Sequence, residues 1–102
     1  MSNLLIVCKK DHNGVKFDKD YYTNKHVPMA KKLWAPYGCL SASAMYPADG
    51  QETDWLSIGV YTFEDTSSAL KALTSPETNE LLADIANFTD TKVLIKSFFE
   101  EF

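Results

Sequence analysis

The segment Trp55-Leu56-Ser57-Ile58-Gly59-Val60-Tyr61-Thr62-Phe63 decides the fold, because it is the clearest strand in the chain and neither of its faces is polar. Side chains alternate between the two faces of a strand. One face carries the aliphatic residues at positions 56, 58 and 60, and the other carries Trp55, Ser57, Gly59, Tyr61 and Phe63. A sheet built on such a strand has two apolar faces, and both need to be covered from water.

Three other segments have the composition of strands. Residues 4–8 form a continuous apolar run that is too short for a helix, which is typical of a strand covered on both faces. Residues 39–46 form a strand of mostly small side chains, and residues 91–99 carry large apolar side chains on both sides. Turns rich in Gly, Pro, Asp and Asn separate these strands from their neighbours.

Residues 17–34 follow a helical period. Spacings of three and four place five residues on one helical face, namely Tyr22, His26, Met29, Ala30 and Leu33. Asp18 is the expected N-cap, since its carboxylate can accept from the free amides of the first turn. Pro28 has no amide hydrogen, so we expect the helix to kink or restart near residues 24–28, beside His26.

Residues 66–73 predict a short second helix, and Ser75-Pro76-Glu77 has the cap, proline and carboxylate that begin another. The resulting order is β-α-β-β-α-β. Two right-handed crossovers then produce a four-stranded antiparallel sheet with the helices on one face, the ferredoxin-like α+β plan. A chain of 102 residues with this order forms one domain, residues 1–102.

The helices of such a fold cover only one face of the sheet. An uncovered apolar face is an association surface, so we expect a homodimer that packs sheet against sheet. Small residues among aromatics also predict a cavity, since they leave volume that a ligand can occupy. We expect positions 56, 58 and 60 to meet the helices, and Trp55, Ser57, Gly59 and Tyr61 to face the cavity. The alternative is that the small residues only let the helices or the partner approach closely.

Composition excludes several classes of protein. The net charge is −4 and no run of basic residues exceeds two, so nucleic acid is not an expected partner. No apolar stretch approaches the roughly 20 residues that span a bilayer, and the chain opens without a signal peptide. Cys8 and Cys39 lack metal-ligand spacing and are expected to be small buried side chains. We expect a cytoplasmic protein with no membrane partner and no metal.

The first helical segment resembles a family signature. Phe17-Asp18-x-x-Tyr21-Tyr22-x-x-x-His26-x-Pro28-Met29 is similar to the helix motif of the EthD family, which is associated with ethyl tert-butyl ether degradation. Asp84-x-x-Asn87-Phe88-Thr89 resembles the ending of the family's second helix. Strand order and both motifs fall where the family has them, so the resemblance covers essentially the whole chain.

The resemblance implies a dimeric α+β barrel, with a pocket between each sheet and its own helices. Similar barrels include cofactor-free lactone isomerases, polyketide cyclases, quinol-forming monooxygenases and haem-handling enzymes. The EthD branch is usually associated with oxidative catabolism. Because fold does not determine chemistry, the resemblance supports the architecture more strongly than any reaction.

His26 is the leading candidate for chemistry, because an imidazole transfers protons near neutral pH and the family motif includes this position. The alternative is a buried histidine bonded to a carbonyl that Pro28 leaves free. Tyr22 is a second catalytic candidate, as a hydrogen-bond donor to a developing oxyanion, or else a core residue with a solvated tip. Six residues are expected to bind the substrate: Trp55, Ser57, Gly59, Tyr61, Met29 and Trp34.

The remaining polar residues carry weaker expectations. Tyr21 is expected on the flank of the helix, Asp84 as a solvated or helix-pairing charge, and His12 in an exposed polar turn. The sequence has no Ser-His-Asp pattern and no phosphate-binding glycine loop, and no cofactor is predicted. Sequence spacing leaves open a His–carboxylate pair that assembles in space.

Four functions fit these observations. The first is a cofactor-free enzyme, of isomerase, cyclase or oxygenase type, in which His26 transfers a proton on a small apolar organic molecule such as a lactone, a ketone or an aromatic intermediate. The second is a binding or accessory module that holds an apolar metabolite without transforming it. The third is haem handling with His26 as axial ligand, and the fourth is a purely structural dimer with a filled interface.

Overall fold

A computed structural model describes residues 1–102. The strands are β1 (Ser2–Lys9), β2 (Cys39–Met45), β3 (Trp55–Phe63) and β4 (Val93–Phe99). Helix α1 spans residues 19–34 and continues into a 3-10 turn, Ala35–Tyr37; α2 is Thr66–Leu73, and α3 is Thr78–Asp84 with its own 3-10 turn, Ile85–Asn87. The strands pair antiparallel in the order β2-β3-β1-β4. The ferredoxin-like α+β plan is therefore confirmed.

Helix α1 changes geometry where the proline predicted a disturbance. Asp18 caps its first turn by accepting from the amide of Tyr21. Residues Tyr22–His26 then form a π-helical turn, in which the amide of Val27 bonds the carbonyl of Tyr22, and Val27–Trp34 returns to α geometry. Since Pro28 has no amide hydrogen to give, a wider turn before it accommodates the defect without interrupting the helix.

The face of β3 that packs against the helices is the one that the sequence analysis did not expect there. Ser57, Gly59, Tyr61 and Phe63 are buried, whereas positions 56, 58 and 60 are only half-buried. The Tyr61 ring packs edge-on against Trp34 of α1 at a centroid distance of 5.3 Å. The prediction that the aliphatic face meets the helices is wrong for positions 58 and 60. The physical reason is size complementarity, because the large rings of α1 fill the space above the small residues of β3. Leu56, at the register shift opposite Cys8 and Lys9, packs against the buried cluster that contains Tyr22 and Phe88.

Gly59 illustrates this complementarity. A Cβ atom at position 59 would lie 2.4 Å from the hydroxyl oxygen of Tyr22 and 2.8 Å from a ring carbon of Tyr61. No real Cβ contact is that short, so any side chain at this position would displace the two rings. Glycine lets a tyrosine of α1 reach the sheet, which is the close approach that the sequence left as an alternative.

The other face of the sheet carries no helix. Cross-strand pairs Leu5–Val60 and Val7–Ile58 make its centre apolar. Met45 and Phe99, on the two outer strands, are both 51% exposed. At one end, the ammonium of Lys96 lies 5.4 Å from the centroid of the Trp55 ring. We call this surface the open face.

No helix of the chain combines the length and the apolar composition that crossing a membrane requires.

Candidate functional site

A buried imidazole–carboxylate pair joins α1 to α3. Nδ1 of His26 lies 2.8 Å from Oδ2 of Asp84, and each residue is only 7% exposed. Because an ionised carboxylate can only accept, this hydrogen bond places the imidazole proton on Nδ1. Nε2 then carries the lone pair, and no protein group hydrogen-bonds it.

Asp84 is held by two further donors. The hydroxyl of Tyr21 donates to Oδ1 at 2.6 Å, and the side-chain amide of Asn87 donates to the same oxygen at 2.9 Å. Burial by itself raises the pKa of Asp84, but the hydrogen bonds from Tyr21, Asn87 and His26 outweigh it and lower the pKa below its ordinary value. The carboxylate therefore stays ionised and keeps the imidazole in one orientation.

Burial also decides the state of His26. Desolvation lowers the pKa of His26 below its ordinary value, and the hydrogen bond to Asp84 offsets only part of that effect. The ring stacks on Tyr22 at a centroid distance of 5.5 Å and contacts Phe88 at 4.5 Å. A neutral imidazole with a free Nε2 is a proton acceptor at neutral pH.

A cavity of about 100 Å³ lies between the helices and strands β1, β3 and β4. Of its 14 lining residues, 12 are hydrophobic, and none is a lysine, aspartate or glutamate. The residues of interest on its lining are Tyr22, His26, Trp34, Tyr61 and Phe88. The cavity thus suits an uncharged apolar molecule and brings it beside His26.

Two tyrosine hydroxyls form the other polar feature of this cavity. Oη of Tyr22 and Oη of Tyr61 are 3.0 Å apart, and each residue is 1% exposed. Burial is the main cause that raises the pKa of both phenols, so both remain protonated over the working range of pH.

Four of the predicted site residues meet at this cavity: His26, Tyr22, Trp34 and Tyr61. Met29 packs against the larger core cluster, outside the residues that line the cavity, and Gly59 lies beneath the two hydroxyls. Ser57 and Trp55 line a different cleft, described below.

Three residues outside the predicted site residues belong to the site. Asp84 is buried and bound to His26 of α1, so the helix-pairing charge is the expectation that holds, and the solvated charge is wrong. Tyr21 is half-buried and reaches Asp84, although it lies on the flank of the apolar stripe. Asn87 completes the set. The signal for Asp84 and Asn87 was their place in the second family motif, without which nothing in the local sequence marks them.

A second cleft, of about 480 Å³, lies at the loop between β2 and β3. It is lined by Met45, Tyr46, Pro47, Thr53, Trp55, Ser57 and Ile58. Ser57 is the one residue with a fully buried hydroxyl that lacks a partner. Near it, burial raises the pKa of the Cys8 thiol, which keeps that sulfur protonated and unreactive. The lining of this cleft contains no pair of side chains that could act as acid and base.

A larger depression, of about 900 Å³, is bounded by the loop before α1 and the loop before β4. Seven of its ten lining residues are polar or charged, since only three are hydrophobic. Such a surface leaves a ligand in contact with water, so it does not compete with the cavity beside His26 as a reaction site.

The other histidine lies on the surface. Nδ1 of His12 is 2.6 Å from Asp11, Nε2 is 3.3 Å from Asp90, and its side chain is 41% exposed, as the polar turn predicted. The hydrogen bond that His12 donates to Asp11 is the main cause that raises the pKa of His12. This cluster ties the loop after β1 to the loop before β4.

Fold and site together define a ferredoxin-like α+β protein with a buried histidine–aspartate pair beside an apolar cavity. The sequence model of the EthD domain matches residues 14–92, which include all of α1 and the second motif. The chain belongs to the EthD family. No curated protein matches the chain.

Solved structures agree with this assignment. An EthD-like protein from Ralstonia eutropha JMP134 superposes with a TM-score of 0.78 at 22% identity, covering 97% of this chain and 90% of that one. An ethyl tert-butyl ether degradation family protein from Bacillus halodurans C-125 gives 0.63 at 19% identity, covering 95% and 98%. An antibiotic biosynthesis monooxygenase gives 0.51 at 10% identity, covering 100% and 99%. At these identities the likeness shows the fold alone.

Proposed function

We propose that this protein binds a small apolar organic molecule in the cavity beside His26 and catalyses a proton transfer on it without a cofactor. The observation that carries the proposal is the His26–Asp84 pair, because its hydrogen bond leaves Nε2 as an unbonded base next to a cavity with 12 hydrophobic lining residues out of 14. An enzyme that moves protons between carbon atoms needs such a base and a water-poor space around it.

The reaction class that fits is proton abstraction next to a carbonyl group. Nε2 of His26 takes the hydrogen as a proton, and the electron pair of the broken C–H bond moves to the carbonyl oxygen, which becomes an enolate. Asp84 stabilises the imidazolium that forms, and a phenolic hydroxyl of the cavity donates to the enolate oxygen. Return of the proton from Nε2 to a different atom of the same molecule completes an isomerisation, with no net change in atoms or electrons.

The same first step serves cyclases and cofactor-free oxygenases, since both begin by making a carbanion. The proposal of a role in oxidative catabolism is supported by the family name, ethyl tert-butyl ether degradation, and by the monooxygenase among the structural neighbours. Haem handling has less support, because the cavity of about 100 Å³ is small for a porphyrin and no lysine lines it to meet the propionates.

The alternative is a non-catalytic module that holds an apolar metabolite. The hydrophobic lining of the cavity suits such a role equally well. The two functions differ in what His26 does: in a module it only orients the ligand, so replacing it weakens binding and removes no reaction.

We also propose that the protein works as a homodimer in which the open faces of two copies cover one another. The support is the apolar centre of that face, formed by the Leu5–Val60 and Val7–Ile58 pairs.

The dimer is tested by its mass in solution. Light scattering during gel filtration should give twice the 11.5 kDa of one chain. Val60→Lys should give the monomer, and Leu70→Lys, on the exposed side of α2, should remain dimeric. A monomeric wild-type protein would contradict the proposal.

The proton-transfer role is tested with a generic ketone. Cyclopentanone in D₂O exchanges the hydrogens beside its carbonyl, and proton NMR follows their loss. Wild-type protein should accelerate this exchange, and His26→Ala should reduce it to the rate in buffer alone. His12→Ala, which removes the surface histidine, should keep the full rate. A His26→Ala variant that is folded and as fast as wild type would exclude His26 as the base.

A further inference from the structure

The Tyr22 and Tyr61 hydroxyls have two hydrogens between them, and only one of these forms a hydrogen bond within the protein. Tyr22 and Tyr61 each bring one hydroxyl hydrogen, and their oxygens bond one another and no other protein group. One hydrogen bond consumes one hydrogen, so the tyrosine that accepts keeps its own O–H without an acceptor. Both residues are 1% exposed, and a buried donor without a partner is costly in free energy.

The unused hydrogen lies where a ligand can accept it. Both tyrosines line the cavity, together with His26. Gly59 fixes the height of the pair above the sheet, because a Cβ there would lie 2.4 Å from the hydroxyl oxygen of Tyr22 and 3.1 Å from that of Tyr61. The cavity thus offers one hydrogen-bond donor, the free tyrosine O–H, and one acceptor, Nε2 of His26. The other polar side-chain groups of its lining, the Trp34 indole N–H and the Thr78 hydroxyl, already donate to protein acceptors.

Either tyrosine can be the donor within the pair, since the two oxygens are 3.0 Å apart and each hydroxyl both donates and accepts. The tyrosine that accepts keeps its own hydrogen free. The pair therefore presents one O–H to the cavity in both arrangements.

We propose that the free O–H of the Tyr22–Tyr61 pair hydrogen-bonds the bound molecule, and that the site selects uncharged molecules whose buried end carries an acceptor oxygen, such as a ketone or lactone carbonyl. This inference rests on the proposed function only in requiring that the cavity binds a ligand. Charged ends are excluded because no lysine lines the cavity and the nearest full charge, Asp84, is negative and already satisfied.

Two uncharged probes of nearly equal shape and one larger, charged probe test the selection. Cyclopentanone has the acceptor oxygen, methylenecyclopentane replaces that oxygen with a CH₂ group, and cyclopentanecarboxylate carries a negative charge. Dissociation constants come from NMR titration of the Trp34 indole and His26 ring signals. The ketone should bind about tenfold more tightly than the alkene, the difference expected for one hydrogen bond in a buried site. The carboxylate should not bind.

Phenylalanine variants then locate the donor. The double variant Tyr22→Phe/Tyr61→Phe should bring the ketone-to-alkene ratio close to one, whereas each single variant should keep most of it, because one hydroxyl hydrogen remains in the cavity. Tyr46→Phe, whose hydroxyl bonds Thr23 outside the cavity, is the matched control and should keep the wild-type ratio. Circular dichroism and thermal unfolding verify that each variant is folded.

Each remaining outcome overturns a distinct statement. Equal binding of ketone and alkene to the wild-type protein overturns the selection, and an unchanged ratio in the double variant Tyr22→Phe/Tyr61→Phe overturns the role of the two hydroxyls. Absence of binding by all three probes overturns both this inference and the proposed ligand cavity. Preferential ketone binding without any deuterium exchange supports the inference and contradicts only the proton-transfer role.

Discussion

The chain contains two histidines, and both are paired with aspartate, but in opposite surroundings. His26 meets one carboxylate, Asp84, in the interior, where both residues are 7% exposed. His12 lies between two carboxylates, Asp11 and Asp90, on the surface. The pKa of the buried histidine is lowered, first of all by desolvation, and that of the surface histidine is raised, first of all by its hydrogen bond with Asp11.

The difference shows that a carboxylate neighbour does not by itself determine the charge of a histidine. In water, the pair favours the protonated ring; in the interior, the cost of burying a charge exceeds the attraction. The same two residue types therefore link two loops at the surface and form a neutral base in the interior. The buried arrangement favours the neutral ring, which can accept a proton, and the surface arrangement favours the protonated ring.

Replacing the aspartate should give the largest difference in stability between the buried and the surface histidine–aspartate pairs. Asp84→Ala leaves His26, Tyr21 and Asn87 without their common acceptor, and we expect the free energy of unfolding to fall by roughly 1–3 kcal/mol. Asp90→Ala acts on a solvated pair and should cause a much smaller loss. Urea denaturation of both variants measures the difference. Equal losses would mean that the buried pair contributes no more than the surface pair.

The contributions of His26 and His12 to the stability of the protein should depend on pH with opposite signs. For His26 the folded pKa is below the unfolded value of 6.5, so its contribution to stability falls as pH falls from 6.5 through the folded pKa. For His12 the folded pKa is above 6.5, so its contribution is complete below 6.5 and is lost as pH rises through the folded pKa. NMR titration of the two ring Hε1 signals should show midpoints on opposite sides of 6.5. Coincident midpoints would contradict the comparison.

A smaller effect is expected from Tyr21→Phe. This change removes one of the donors that lower the pKa of Asp84, so that pKa should rise toward its ordinary value of 3.8. The stabilisation from Asp84 is present above 3.8 and is lost as pH falls through the folded pKa, so the variant should lose it at a higher pH than wild type. Carbon-13 NMR of the Asp84 carboxyl measures the shift.

Tyr37→Phe provides the control for that experiment, because Tyr37 donates to Glu77 at 2.8 Å and has no contact with the site. It should leave the titration of Asp84 unchanged. An identical Asp84 titration in Tyr21→Phe and wild type would show that the Tyr21 hydrogen bond does not support the carboxylate in solution.

Salt should have the smallest effect of these changes, and it should shift the pKa of His12 but not that of His26. At about 1 M salt the screening length falls to about 3 Å, so exposed charges attract one another less. The pKa of His12 should fall toward its ordinary value, and that of His26, set mainly by burial, should stay where it is. Titration of both rings at low and high salt measures this. A salt-sensitive His26 would indicate that water reaches the pair.

The sequence predicted the order of elements and the strand pairing, because alternation and the helix period are local properties of the chain. It did not predict which face of β3 meets the helices. Both faces are apolar, and the choice depends on how Tyr22 fits over Gly59 and how Trp34 packs against Tyr61, which is a three-dimensional match. His26 was recognisable from its place on the apolar stripe of α1. Its partner was not, since Asp84 lies 58 residues away and looks locally like any helix-end charge.

The wide turn of α1 has a consequence for motion. A π turn bonds an amide to the carbonyl five residues before it, and Pro28 has no amide to bond the carbonyl of Thr23. Within the segment Tyr22–His26, the carbonyl of Thr23 therefore has no amide partner at the π spacing. We expect the amides of this segment to exchange with deuterium sooner than those of the later turns. Faster exchange would mean that the imidazole sits on the most compliant stretch of the helix, where its ring could shift as a proton arrives and leaves while the rest of the helix stays intact.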